Sequence, residues 1–171
     1  IDRAGMSSLH LSKLVVFVNH PVNLAFITAV CRRAPSENYS RVKSDNYSSV
    51  GKVIGNQQGD RYEIINCNNR HTLEFRGARG TLKFETIMAT IEFTRMMWLF
   101  SKDAAISKLH HANFVEFVWL SSNAIDTKYL RPYLIKIGVA PKEQEHLGRL
   151  TLTEAWQEAV TMGAIPSTVD Q

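Results

Sequence analysis

Leu11, Leu14, Val15 and Val18 recur at helical spacing behind Ser7 and Ser8, whose hydroxyls suit an N-cap, and the pattern predicts a first helix over residues 8–19. In "NHPVNLAFITAVCRR" the stripe Val22, Phe26, Ile27 and Val30 predicts a second helix. Pro21 stands where a first turn tolerates it, and the cationic Arg32-Arg33 pair marks the end. Periodicity then stops. Residues 34–60 are rich in Ser, Asn, Gly and charge, which predicts a functional or mobile loop, too long for an inert connection. "RYEIINC" and "HTLEFR" are short and β-rich, joined through Asn68-Asn69-Arg70, and read as an antiparallel hairpin. Alternation assigns His71, Leu73 and Phe75 to one face of the second strand, and Thr72, Glu74 and Arg76 to the other.

Downstream, "FETIMATIEFTRMMWLFS", residues 84–101, carries the strongest helical pattern, with Ile87, Ile91, Met97 and Trp98 among its apolar positions. Further helices are predicted over 113–121, over 127–137 with Pro132 as a local complication, and over 153–162 with Gly163 closing it and Pro166 beyond. The sum is an α+β chain, mainly helical with a small antiparallel β element. Its 171 residues at 44% hydrophobic content suit one domain with a sizeable core, and no repeat divides it.

Composition narrows the function classes only slightly. Twenty Lys+Arg against sixteen Asp+Glu leave +4 and a pI near 9.2, which weakly favours anionic partners such as nucleotides or nucleic acid. Cys31 and Cys67 lack metal-ligand spacing, so reduced thiols in a cytoplasmic protein are the expectation. No apolar run approaches the roughly 18 to 20 residues that span a bilayer, and no signal-peptide plan is visible at Ile1.

Glu74 and Arg76 are the first candidates for chemistry. Same-face neighbours on a strand lie about 6.5 to 7 Å apart, close enough to serve one ligand. The carboxylate suits a hard divalent cation and the guanidinium suits phosphate. An ordinary solvent-facing ion pair satisfies the same alternation. Arg61, Arg70, Arg76, Arg79 and Lys83 all fall in the hairpin and its exit, where "RGARGTL" places Gly77 and Gly80 around a turn. Upstream, Arg32, Arg33, Tyr39, Arg41 and Lys43 interleave cations with an aromatic ring, as nucleotide and nucleic-acid sites do, and as solvated loops also do. Other chemistries lack their signatures. Gly51, Gly55 and Gly59 follow no strand, so a dinucleotide fingerprint fails; no G-x-S-x-G elbow occurs; His110 and His111 are sequence neighbours that cannot both face one ligand from a helix. The run Met96–Phe100 reads as core or interface.

Over "RYEIINCNNRHTLEFRGARGTLKFETIMATIEF" the sequence resembles the amidoligases, carboxylate–amine ligases related in fold to glutamine synthetase and glutamate–cysteine ligase. The likeness lies in the order Arg-Tyr, a β run with Asn, "HTLEFR", "GTL" and a long helix. "LHLSKLVVFVNHPVNLAFITAVCRRAPSENYSRV" looks like that family's helix pair and Arg-Arg and Tyr segment, so residues 1–105 are covered and 61–82 most specifically. The resemblance implies a glutamine-synthetase-like half domain and ATP-dependent amide formation, with Mg²⁺ as the metal. Glu74 matches the acidic residue that helps hold Mg²⁺ beside ATP, and Arg76 the arginine that stabilises the transferred phosphoryl group. Arg33, Tyr39 and Arg61 match positions lining the same cavity.

Family members also carry an early strand with paired acidic ligands and a histidine-bearing strand, and this sequence has neither; "IDRAG" looks like the exit of the latter. The expectation is the C-terminal part of such a ligase, completed by an upstream segment or a partner protein. The alternative is a non-catalytic phage or bacterial binding protein derived from the fold, contacting protein or nucleic acid.

Overall fold

The computed structural model describes residues 5–33, 63–69, 71–121 and 127–140. Within them the chain is α+β: a helical core with one two-stranded antiparallel sheet on its flank. Helix α1 spans Ser8–Asn19, and Ser7 caps it by accepting from the His10 amide at 3.1 Å. From His10 to Asn19 every residue of α1 except Val16 is buried, so this is the central helix of the fold. Its end is set by Pro21, which holds the preceding His20 in an extended conformation and opens a 3₁₀ turn, Pro21–Asn23. Helix α2, Leu24–Cys31, follows and stops where Arg32 turns left-handed. No single helix among the described residues is long and apolar enough to cross a membrane; α1 and α2 together are, but the chain bends by 57° between them.

Strands β1, Ile65–Asn66, and β2, Glu74–Phe75, pair antiparallel with Ile65 opposite Phe75 and Asn66 opposite Glu74. The Arg76 amide extends the pairing by donating to the Ile64 carbonyl at 2.8 Å. Ile64, Ile65 and Leu73 enter the core, and Phe75 packs against it. His71, expected on the same face as Leu73, is exposed because it precedes the paired segment.

Helix α3, Phe84–Asp103, lies across α1 and buries Ala89, Phe93, Met96, Met97 and Phe100. Ile87 and Ile91, read from the sequence as apolar positions of this helix, are instead 41% and 56% exposed. Both sides of α3 carry apolar residues at helical spacing, and the bulkier aromatic side wins the core. A 3₁₀ turn, Ile106–Lys108, leads to α4, His111–Leu120, and α5 spans Leu130–Lys136. Pro132 is the third residue of α5, where its missing amide proton has no helical partner to lose, so it leaves this helix intact. The helix expected over 153–162 lies outside the described residues.

Phe114 of α4 is the hub. Its ring lies 5.4 Å from Phe17, 5.7 Å from Phe26, 5.5 Å from Phe93 and 5.6 Å from Phe100, mostly edge to face, which joins α1, α2, α3 and α4 in one cluster. Buried polar side chains close the helix ends around it. Asn23 donates to Phe17 and Leu109 carbonyls and accepts from the His111 amide. Glu92 accepts from the Tyr129 and Leu130 amides at the start of α5, and Lys13 donates to the Lys102 and Ala104 carbonyls at the end of α3. Arg131 gathers the carbonyls of Val118, Trp119 and Ser121 at the end of α4.

Candidate functional site

The hairpin presents its polar side outward because Phe75 is held inward, 6.0 Å from the Phe93 ring. Glu74 and Arg76, one residue to either side, therefore share the outer face, as alternation predicts. They meet each other directly: Arg76 Nε lies 3.5 Å from Glu74 Oε1. The second carboxylate oxygen accepts from Asn66 Nδ2 at 2.9 Å, across the strand pair. Asn66 is itself fixed, since its Oδ1 accepts from the Asn68 amide at 3.0 Å and the residue is buried. The Glu74 side chain remains 51% exposed and that of Arg76 22%. The pair is thus an oriented carboxylate and a guanidinium at the surface.

The chain leaves β2 by pressing against the end of α2. Gly77 is buried there, and a Cβ added to it would stand 2.8 Å from Phe75 Cζ, 2.9 Å from Cys31 Sγ and 3.0 Å from Ile64 Cδ1, so only hydrogen fits. Two residues on, the Arg79 amide donates to the Cys31 carbonyl at 2.9 Å, and the Arg79 carbonyl accepts from Arg32 Nη2. Cys31 packs in the core, where burial pushes its thiol up to about 12, with Arg32 and Arg33 opposing. From α5, the Tyr133 hydroxyl donates to the Val30 carbonyl at 2.9 Å. Burial raises this phenol above its ordinary value, while the neighbouring Arg32 acts in the opposite direction.

Of the residues singled out from the sequence, Glu74 and Arg76 come together. Arg33 is half-buried at the end of α2, with its amide donating to the Thr28 carbonyl at 3.3 Å. Tyr39, Arg61 and Arg70 lie outside the described residues. Asn66 beside the pair and Tyr133 at the end of α2 are not among the residues the sequence points to, and Arg32 is there only as one cation of the 32–43 tract. Asn66 becomes visible only once strand register is known. Arg32 differs from Arg33 only through the left-handed turn it makes, and Tyr133 reaches the Val30 carbonyl from 103 positions away.

Behind the hairpin, on the Phe75 side, a groove of about 520 Å³ runs between β2 and α3. Ala78, Ile91, Thr94, Arg95 and Trp98 are among its walls, so it is mainly apolar with one cation.

The donor set decides what metal chemistry this surface allows. Among the described residues no group of three or more His, Cys, Asp or Glu side chains converges. Mg²⁺, however, is commonly bound through one or two carboxylates plus substrate phosphates and water. A single exposed carboxylate with an adjacent arginine fits that mode, and does not fit an all-protein cage. Compared with family models, with characterised proteins and with solved structures, the chain matches none.

Proposed function

We propose that this chain contributes the Glu-Phe-Arg wall of an ATP-dependent carboxylate–amine ligase of glutamine-synthetase-like fold. The observation that supports it is the outward pairing of Glu74 and Arg76 on a strand locked from behind by Phe75 and from the side by Asn66. It joins the sequence resemblance around "HTLEFRGARGTL". In this reading Glu74 holds one coordination position of Mg²⁺, which supplies positive charge beside the nucleotide's phosphates. Arg76 neutralises charge growing on the transferred phosphoryl group as the substrate carboxylate is activated. Asn66 fixes the Glu74 rotamer, so the carboxylate is oriented before ligand arrives. Arg33, Tyr39 and Arg61 belong to the same wall on the resemblance alone. Glu74 alone does not make a multi-metal centre, so the remaining metal donors come from outside the described residues or from a partner chain.

Titration calorimetry with ATP tests this in the full natural chain. Expected are binding that requires Mg²⁺ and losses of about tenfold or more in Glu74→Gln and in Arg76→Ala, at unchanged fold. Absence of nucleotide binding with Mg²⁺ present removes the ligase reading. Steeply salt-dependent binding to DNA or RNA that Glu74→Gln leaves intact replaces it with a nucleic-acid-binding one.

A further inference from the structure

Arg32 is the one non-glycine residue among those described with positive φ, at φ 55° and ψ 31°. This left-handed position after a helix is where glycine ordinarily sits, because a Cβ there is unfavourable. Glycine would end α2 equally well. An arginine at this place also carries a buried Nε without a hydrogen-bond partner. Two costs at one residue call for a side-chain function that glycine lacks.

The side chain's contacts supply it. Arg32 Nη2 donates to the Arg79 carbonyl, while the Arg79 amide donates to the Cys31 carbonyl at 2.9 Å. One peptide segment is thereby tied to the end of α2 through both its polar groups. Three residues earlier the Arg76 amide is tied to Ile64, and Gly77 between them is pressed on Cys31. Arg32 itself is flanked by Tyr133 of α5. Remove its guanidinium and the loop keeps its attachment at Arg76 but loses half of its attachment at Arg79.

We propose that Arg32 is a positioning residue for the loop 77–80: it sets the backbone from which Arg79 joins Arg76 in facing an anion. The proposal rests on the reading of Arg76 as a phosphate contact. Arg32 acts through the loop, since its Nη2 is engaged by a protein carbonyl.

Two variants of the full natural chain, Arg32→Gly and Arg32→Lys, test this with three measurements: thermal midpoint, amide hydrogen exchange, and calorimetry with Mg²⁺ and ATP. Arg32→Gly relieves the backbone and removes the tether, so its midpoint stays level or rises. Its amides at 77–80 exchange about tenfold faster while α1 and α3 keep their protection. Its affinity for ATP with Mg²⁺ falls about tenfold. Arg32→Lys, which keeps a donor but as a compact point charge on a shorter side chain, lies between the two. Unchanged exchange at 77–80 in Arg32→Gly overturns the proposal, and so does native affinity in that variant where Arg76→Ala has lost it. Lost protection throughout α1 and α3 in both variants also overturns it, because Arg32 is then a general support. If the native chain binds no ATP, the ligase reading falls, and the exchange at 77–80 alone decides whether the tether exists.

Discussion

The helical core and the hairpin treat their charged residues in opposite ways. In the core, Lys13, Glu92 and Arg131 each bond to backbone groups at a helix end, and each is at least half shielded from water. Such groups are committed: moving one leaves a helix terminus unsatisfied. In the hairpin, Glu74 bonds to two side chains, Asn66 and Arg76, and half of it faces solvent. Side-chain partners can shift when a ligand arrives; backbone termini cannot. The difference separates ionic groups that hold the fold from ionic groups available for chemistry, although both are charged residues on regular elements.

The largest effect belongs to the core. Phe114→Ala removes the ring on which four other phenylalanines lean and is expected to cost about 3–5 kcal/mol in denaturant unfolding. A loss under about 1 kcal/mol would mean that the cluster is not the cooperative centre of the fold. Next comes the junction of the two regions. Gly77→Ala forces a methyl against Phe75, Cys31 and Ile64, and is expected to cost about 1–3 kcal/mol and to loosen the loop that follows β2. A silent Gly77→Ala would show that hairpin and core are not pressed together there.

The sequence carries the first helix to the residue, and the hairpin and the alternation of Glu74 with Arg76 are legible from period alone. What period cannot decide is which of two apolar sides faces inward: on α3 the row Phe93, Met97 and Phe100 is buried, and Ile87 and Ile91 are exposed. Only packing against Phe17, Phe26 and Phe114 breaks that tie. The capping by Lys13 and Glu92 is equally unreadable, since each bonds to a helix end dozens of residues away. Asn66 as the partner of Glu74 follows from register, and Arg32 leaves no local trace, because nothing in "CRRAPS" announces a left-handed arginine.

Long-range burial of histidine gives the third expected effect. His10 is held below its ordinary pKa, chiefly by burial and further by Lys13 and Lys102, against the Trp98 carbonyl and Asp103. His111 is lowered too, by burial and by His110. A depressed folded-state pKa means that the unfolded chain takes up protons first as pH falls. Stability is therefore full above about 6.5, the unfolded value, and declines as pH drops toward the folded values. Unfolding midpoints at pH 7.5 and 5.5 check this, and His10→Gln should flatten part of the slope. An unchanged slope would place His10 outside the coupling between α1 and α3.

The smallest expected effect on stability is at Glu74, and its smallness is informative. An exposed ion pair contributes about 0–1 kcal/mol, and glutamine keeps an oxygen for the Asn66 amide, so Glu74→Gln should move the unfolding free energy by less than about 1 kcal/mol. Phe114→Ala and Glu74→Gln then mark two ends of one scale, the first destroying stability and the second leaving it nearly intact. A functional carboxylate requires that second behaviour together with a loss of Mg²⁺-dependent ATP binding. Should Glu74→Gln instead cost more than about 2 kcal/mol, the carboxylate would belong with Glu92 among the groups that hold the fold. The contrast between hairpin and core would disappear, and with it the physical reason for looking to β2 for chemistry.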